Sequence, residues 1–338
     1  MQSRYKKLIN NSFIFAIGDL GSKGITLLLV PFYTFFLSQS EYGLIDIIQV
    51  TINLLIPLLS LSVYEAVLRY VMDNRDISGV FTNGFFITVV SSLIILFTTL
   101  LLFLFSNQTL IIYSSVLIII QLFHNLILQF IRALGKIKIF AISGIITAIC
   151  LGVFNILLIG ILKLGIIGYL FAGTMSILVS TLYMNSKVNI IQYINPSKIR
   201  KDVIKKQVNY SLPLMPNSIM WWVINASSRY FILIFAGTVF NGLFAVASKI
   251  PGIFSIFNSI FFKAWQLSAI EEYNSDEKGK FYSTIFNYYQ QFLFLANALA
   301  LIFIKPIFLI ASDEKFYNAW IYVPFLLVAS LFSSFYII

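Results

Sequence analysis

Long apolar stretches, separated by short polar segments, follow one another through all 338 residues of the chain. A helix needs about 20 residues to cross the hydrocarbon core of a bilayer. On this measure the pattern predicts ten membrane-spanning helices, at 12–37, 44–71, 80–105, 109–134, 138–161, 165–186, 208–236, 241–270, 281–304 and 318–338. We therefore expect an all-α, polytopic membrane protein.

The two halves of the chain resemble each other at an offset of 199 residues. The identities that indicate a duplication are Ser12 with Ser211, Phe36 with Phe235, Gly43 with Gly242 and Leu44 with Leu243. Both halves begin on the same side, which is typical of a repeat whose axis lies along the membrane normal. We predict two lobes, with six helices at 1–186 and four at 207–338, joined by a basic cytoplasmic linker at 187–206. Because the lobes are unequal and the chain ends inside an apolar run, we expect at least two C-terminal helices to be missing.

The composition agrees with a membrane protein, since 59% of the residues are hydrophobic and only 11% are charged, against about 25% charged residues in soluble domains. The net charge of +10 does not indicate a nucleic-acid partner, because most basic residues collect in loops on one side. The loops on the other side carry only Lys163, Lys305 and Lys315. Lys and Arg mark the cytoplasmic side, so the N-terminus is predicted to be cytoplasmic. The basic loops could also contact anionic lipid headgroups.

Four cationic side chains fall inside the predicted spans, namely Lys23, Arg229, Lys249 and Lys263. Each such residue costs roughly 2.5–3.5 kcal/mol near the bilayer centre, which favours a water-filled interior that binds an anionic, phosphorylated substrate. Lys249 and Lys263 lie on nearly the same helical face, about 21 Å apart along the axis, and could form a cationic track. Lys263 could instead extend to the interface. Pro251-Gly252 follows Lys249 and predicts a kink or break that would act as a hinge.

Three ionisable groups are candidates for coupling to a proton or sodium gradient: Asp19, Glu65 and His124. Asp19 lies one helical turn from Lys23. The two could form a self-neutralised ion pair, or an ion pair in which a substrate phosphate or a proton competes for one of the partners. Glu65 and Arg69 have the same spacing, and we expect a structural salt bridge between them. His124 is the only histidine, and either an interhelical hydrogen bond or a protonation role fits it.

Motifs of soluble enzymes are missing: the sequence has no Walker A loop and no metal-spaced Cys/His cluster. We therefore predict no enzymatic activity, no cofactor and no metal. The tryptophans Trp221, Trp222 and Trp265 could stack on sugar rings in a cavity or simply pack against other helices.

Several strings in both halves are similar to those of one family of membrane proteins. They are Asn11–Gly18, Gly21–Lys23, Val30–Thr34 and Glu41–Gly43, then Leu212–Asn217, Ser228–Phe231, Gly242–Ile250 and Ala264-Trp265. On these residues the chain resembles the bacterial polysaccharide flippases of the Wzx (PST) type, within the MATE-like MOP exporter superfamily. Family members often carry Asp before the arginine, where this chain has Ser228, so we expect Arg229 to be unpaired and available to phosphate.

The resemblance implies a two-lobed bundle of 12–14 helices in the bacterial inner membrane, which moves undecaprenyl-pyrophosphate-linked oligosaccharide to the outer leaflet by alternating access. It also implies polysaccharide polymerase machinery as a partner. A MATE-like cation or drug antiporter that uses Asp19 is the main alternative, although the excess of cations argues against it. A glycan polymerase or ligase is a third class, for which the short external loops leave no room for a catalytic segment.

Overall fold

The structure, a computed structural model, describes residues 20–73, 76–271 and 277–335, and these residues contain thirteen α-helices. The helices are α1 (Leu20–Phe36), α2 (Gln39–Leu59), α3 (Val63–Asp73), α4 (Ile77–Ser106), α5 (Thr109–Ala133), α6 (Ile137–Asn155, extended by a π-turn at Ile156–Ile161), α7 (Gly165–Val188), α8 (Lys201–Ser211), α9 (Met215–Ala236), α10 (Thr238–Ala247), α11 (Lys249–Glu271), α12 (Lys278–Ala311) and α13 (Val323–Phe335). Within those ranges there are no strands, and nine helical segments are long and apolar enough to cross a membrane. The predicted all-α membrane fold is confirmed.

Two predicted spans are each divided into two helices. The span predicted at 44–71 breaks between α2 and α3, where Leu61 and Ser62 have φ values of 51° and 52°. Pro57 cannot donate a backbone hydrogen bond inside α2, and its carbonyl accepts one from Ser62 N at 2.9 Å across the break. Apolar residues continue through this turn, so hydropathy alone gives no signal of it.

The second divided span is the one predicted at 241–270. Its interruption lies at Ser248, between α10 and α11, three residues before Pro251. Proline is tolerated in the first turn of a helix, where the missing N–H has no intrahelical partner, so Pro251 begins a new helix and does not bend an existing one. The predicted break is present; a hinge motion there stays a prediction.

The described residues form two compact units. The larger contains residues up to Thr26 together with Leu44–Phe235, and the smaller contains Leu27–Gly43 and the residues from Ala236 onward. The basic segment 187–206 lies inside the larger unit, so it is not a boundary between these units. The predicted lobes at 1–186 and 207–338 stay a prediction.

The core of the larger unit is formed by α3, α4, α5 and α7. Phe81 and Phe130 are fully buried, with ring centroids 4.1 Å apart, and Val67, Ile131 and Met184 complete the cluster around them. Burial of a large apolar side chain away from water stabilises a fold by about 1.5–3 kcal/mol, and in a bilayer the same contacts contribute through close packing. These helices form the scaffold on which the polar residues described below are mounted.

The predicted basic linker is docked against the N-terminal half of α4. Asn83 Nδ2 donates to Lys198 O at 2.9 Å, and Asn83 Oδ1 accepts from Arg200 N at 2.9 Å. Lys198 Nζ lies 2.6 Å from Asp76 Oδ1, and Gln207 Nε2 donates to Val80 O at 2.8 Å. The segment therefore has a fixed path along α4, which its charge and polarity did not predict.

The Asp76–Lys198 ion pair gives a pH-dependent prediction. The hydrogen bond from Lys198, followed by that from Gly79 N, holds the pKa of the Asp76 carboxyl below its usual value. A lowered pKa adds stability above the ordinary carboxyl pKa of about 3.9, and this stability is lost as the pH falls through the lower, folded-state value. We expect Asp76→Asn, which keeps a capping oxygen, to lower the free energy of unfolding slightly at neutral pH, by at most about 1 kcal/mol for so exposed a pair. The difference from wild type should shrink as the pH falls below 4; a constant difference down to pH 2 would contradict it.

In the smaller unit, α2 and α10 cross at two glycines that the duplication relates. A Cβ atom at Gly43 would overlap Thr238 O and lie 2.8 Å from Gly242 N, and a Cβ at Gly242 would overlap Gln39 O. Gln39 and Thr238 are themselves 199 residues apart, so the contact is reciprocal. Asn241 Nδ2 also donates to Gly43 O at 2.9 Å. The repeat read from sequence identities is thus a physical two-fold relation at this crossing.

Alanine at either glycine should separate the two helices. We expect Gly43→Ala and Gly242→Ala each to destabilise the protein by about 1–3 kcal/mol, because backbone atoms cannot move aside as a flexible side chain can. Gly144→Ala is the matched control, since a Cβ there meets nothing within 4 Å. Thermal unfolding of the purified protein in detergent measures the effect; equal stability of all three variants would contradict the close crossing.

Candidate functional site

An ion pair lies within the larger unit between two helices predicted to span the membrane. Arg229 Nε of α9 is 2.8 Å from Asp46 Oδ2 of α2, and only 16% and 12% of the two side chains are exposed. Arg229 Nη1 also donates to Asn225 O at 3.0 Å. The guanidinium is therefore held by a carboxylate and a backbone carbonyl, which compensates for its removal from water.

This pairing corrects the expectation that Arg229 is unpaired. The residue before it, Ser228, indeed brings no charge, but the carboxylate comes from another helix. Asp46 was missed because its span was predicted to begin at residue 44, which put the acid at the membrane edge. Since α2 begins at Gln39, Asp46 lies about 10 Å along the helix at 1.5 Å per residue.

Two aromatic residues of α9 complete its contact with α2. Trp222 Nε1 donates to Val50 O at 2.8 Å, and the Tyr230 hydroxyl hydrogen-bonds the hydroxyl of Thr51. The two rings pack edge to face, with centroids 5.5 Å apart. For Trp222 the packing interpretation is therefore correct, and α9 is held at a defined position along α2.

A polar cavity of about 380 Å³ opens in the larger unit beside this contact. Four helices line it, and most of the lining side chains are amides or carry aromatic rings. They are Asn53, Ile56 and Pro57 of α2, Tyr64 of α3, Gln121 and Asn125 of α5, and Asn217, Ser218 and Trp221 of α9. The lining contains no Asp, Glu, Lys or Arg, so the cavity suits an uncharged polar ligand.

The break between α2 and α3 helps to create this cavity. Pro57 lies in the last turn of α2, and the left-handed residues Leu61 and Ser62 redirect the chain into α3. Tyr64 follows immediately and reaches the cavity from this new direction. An uninterrupted helix would place it elsewhere.

Glu65 does not form the predicted salt bridge. Arg69 Nε pairs with Asp73 Oδ2 at 2.9 Å, at an exposed position, whereas Glu65 Oε1 accepts a long hydrogen bond of 3.5 Å from Gln129 Nε2 of α5. Both acids have the i,i+4 spacing from Arg69 that favours a pair, and spacing alone cannot choose between them. Glu65 is half-buried toward α5, while Asp73 shares the solvated side with Arg69.

His124 makes the interhelical hydrogen bond that its position favoured. Its Nδ1 lies 2.9 Å from Thr181 Oγ1 of α7. The Thr181 hydroxyl donates its hydrogen to Ile177 O at 2.8 Å, so Thr181 Oγ1 can only accept from His124. The imidazole proton is therefore assigned to Nδ1. A role of His124 in proton coupling stays a prediction.

The remaining predicted cations lie on other helices than Arg229. Lys23 is exposed on α1 in the larger unit, whereas Lys249 is the half-buried first residue of α11 in the smaller unit. α11 is continuous from Lys249 past residue 263, which agrees with the predicted shared helical face. The side chain of Lys263, and all of Asp19, lie outside the described residues.

Together, the apolar helices and the polar residues between them define a multi-pass membrane protein with a hydrophilic interior in its larger unit. The sequence profile of the family described as "Polysaccharide biosynthesis protein" matches residues 8–265. The chain belongs to this family. No curated protein has a significantly similar sequence.

Solved structures share the fold at low sequence identity. An inward-facing multidrug resistance MATE family transporter of the MOP superfamily is 14% identical, with a TM-score of 0.64 over 95% of this chain and 80% of that one. A mutant of the Vibrio cholerae MATE transporter VcmN is 16% identical, with a TM-score of 0.59 over 99% and 84%. A MOP superfamily transporter from Pyrococcus furiosus, whose binding pocket is described as having reverse polarity, is 14% identical, with a TM-score of 0.56 over 98% and 82%. The chain therefore shares the fold of these membrane transporters.

The Asp46–Arg229 pair should contribute to stability as a unit. We expect Asp46→Asn and Arg229→Gln each to cost about 3 kcal/mol, because each leaves a poorly solvated charge without its partner. The double variant should cost less than the sum of the two. Asp202→Asn is the control, since its pair with Arg200 is exposed to solvent and such pairs contribute little to stability. Unfolding in detergent measures the cycle; additive single effects would show that the pair is not coupled.

Proposed function

We propose that the protein translocates an undecaprenyl-pyrophosphate-linked oligosaccharide from the inner to the outer leaflet of a bacterial inner membrane, with its N-terminus in the cytoplasm. The observation that carries this proposal is the uncharged, amide-lined cavity inside a bundle of membrane-spanning helices. A glycan is rich in hydroxyl groups and cannot cross hydrocarbon unaided, whereas amides can exchange hydrogen bonds with it. Membership of the polysaccharide biosynthesis family supports a glycan as the cargo.

Arg229 is the proposed partner of the pyrophosphate, and Asp46 sets the condition for its binding. A phosphate oxygen must compete with the Asp46 carboxylate for the same guanidinium, which binds either group in a bidentate manner. Transport then follows if the inward-facing and outward-facing states open this pair to different extents, because a ligand shifts an equilibrium only by its differential affinity for the two states. Lys23, Lys249 and Lys263 are proposed as further cationic partners of the anionic substrate.

A cation or drug antiporter is the second candidate. The likeness to multidrug MATE transporters favours it, and Asp46 is an acid within a predicted span. However, Asp46 is neutralised by Arg229 at 2.8 Å, so this pair offers a cation no net negative charge. Polymerase or ligase activity has no comparable support, since the fold is that of solved transporters.

A deletion strain tests the function most directly. We expect it to accumulate undecaprenyl-pyrophosphate oligosaccharide that faces the cytoplasm, and the wild-type gene to relieve the accumulation. Lys249→Gln and Arg229→Gln should reduce translocation at least tenfold at equal membrane abundance, whereas Lys205→Gln, at an exposed position on α8, should act as wild type.

Arg229→Gln alone both removes a cation and leaves Asp46 without its partner. The double variant Asp46→Asn/Arg229→Gln removes the cation without leaving an unpaired acid, so it separates the two effects. If the cation binds pyrophosphate, this variant stays inactive although no charge is left unpaired. Normal translocation by Arg229→Gln/Lys249→Gln would contradict the anion-binding role. Changed tolerance to cationic compounds, without accumulation of any lipid-linked intermediate, would favour the antiporter.

A further inference from the structure

The amide side chains of the cavity in the larger unit differ from the other polar residues of its helices. Most serines and threonines in these helices donate to the carbonyl one turn earlier, as Thr88 does to Gly84 O and Ser92 to Thr88 O. The amides of Gln121, Asn125 and Asn217 line the cavity and, among the described residues, have no hydrogen-bond partner in the protein. An amide that lacks a partner costs roughly 1–3 kcal/mol when it is removed from water, so these groups are placed to meet water or a ligand.

The chemistry of the lining selects the kind of ligand. Each amide offers one acceptor and two donor hydrogens, which matches hydroxyl and acetamido groups that both donate and accept. Trp221, with 57% of its surface exposed, and Tyr64 present rings on which the apolar face of a sugar can stack. No charged side chain lines the cavity, so an acidic sugar would bury its carboxylate without a partner. The cavity volume of about 380 Å³ is near the lower end of the usual ligand range, about 300–1,000 Å³.

The cavity and the ion pair lie on the same helix. Trp221 and Arg229 are both on α9, and eight residues correspond to about 12 Å along a helix. One helix thus presents an uncharged, hydroxyl-binding surface beside a charged one. A sugar attached to a pyrophosphate has this same order of groups.

We propose that this cavity is a glycan subsite that accepts uncharged sugars and excludes acidic ones, with Gln121 and Asn125 as hydrogen-bonding residues and Trp221 as the stacking platform. The proposal rests on the flippase function proposed above and names the part of the substrate that this site selects. It predicts that the protein distinguishes glycans first by whether their sugars carry a negative charge.

The matched variants are Gln121→Glu and Gln108→Glu. Both replace a glutamine by a glutamate. Gln121 lies within α5 and lines the cavity, whereas Gln108 is the N-cap of α5 and does not line it. The full-length protein is purified in detergent and titrated with a neutral disaccharide, N,N′-diacetylchitobiose, or an acidic one, digalacturonic acid, with tryptophan fluorescence as the readout. We expect saturable binding of the neutral sugar to wild type and to Gln108→Glu, at least tenfold weaker binding to Gln121→Glu, and at least tenfold weaker binding of the acidic sugar to wild type.

Trp221→Phe and Trp221→Leu provide a second measurement that does not introduce charge. Both substitutions remove a tryptophan that can itself report binding by its fluorescence. Binding is therefore also measured by isothermal titration calorimetry, which does not depend on Trp221. Trp221→Phe keeps an aromatic face and should stay within threefold of wild type, whereas Trp221→Leu should lose at least tenfold. Binding of the acidic sugar as tight as that of the neutral one, equal binding by Gln121→Glu and wild type, or no saturable binding of the neutral sugar would each overturn the proposal.

Binding in detergent and translocation in cells can fail separately. If neutral sugars bind as expected but the deletion strain accumulates no lipid-linked intermediate, the flippase function is wrong and the subsite stands as a sugar-binding cavity. If the strain accumulates the intermediate but binding does not depend on Gln121 or Trp221, the flippase function stands and the subsite is wrong.

Discussion

Polar groups inside a bilayer need partners, because no water is present there to replace them, and this constraint accounts for the main polar contacts between the described helices. Most serines and threonines of the described helices return their hydrogen bonds to their own helix, as Thr88 does at 3.0 Å. The charge of Arg229 is held by Asp46 from a neighbouring helix. Three amides without a partner among the described residues, Gln121, Asn125 and Asn217, line a cavity. Polar groups in this hydrophilic interior therefore remain available for a substrate.

The all-α fold could be predicted from the sequence, because hydropathy over 20 residues is a strong signal and the segments are short of charges. The interior could be predicted only in part. Arg229 was found because it is charged within an apolar stretch, but its partner Asp46 was hidden by an error of a few residues at the start of α2. The turn at Leu61 and Ser62 and the docking of Arg200 on Asn83 depend on backbone conformation and long-range hydrogen bonds, which leave no local pattern.

The pairing of Arg229 changes how the positive charge of the interior should be understood. An unpaired arginine would attract any anion strongly and release it slowly. A paired arginine binds an anion only as far as the anion competes with Asp46, so affinity is lower and exchange is easier. For a transporter this is an advantage, because a substrate that is bound too tightly in one state cannot be released in the other.

The crossing of Gly43 and Gly242 also has a consequence for the history of the chain. Each glycine faces the backbone of the other half through the same pair of positions, four residues apart, and such a self-complementary contact is the kind that relates two identical subunits. A single ancestral half would have met a second copy of itself through this one glycine. A fusion of two such halves would leave them free to diverge, so that one could acquire an arginine and the other an acid while the crossing kept its two glycines.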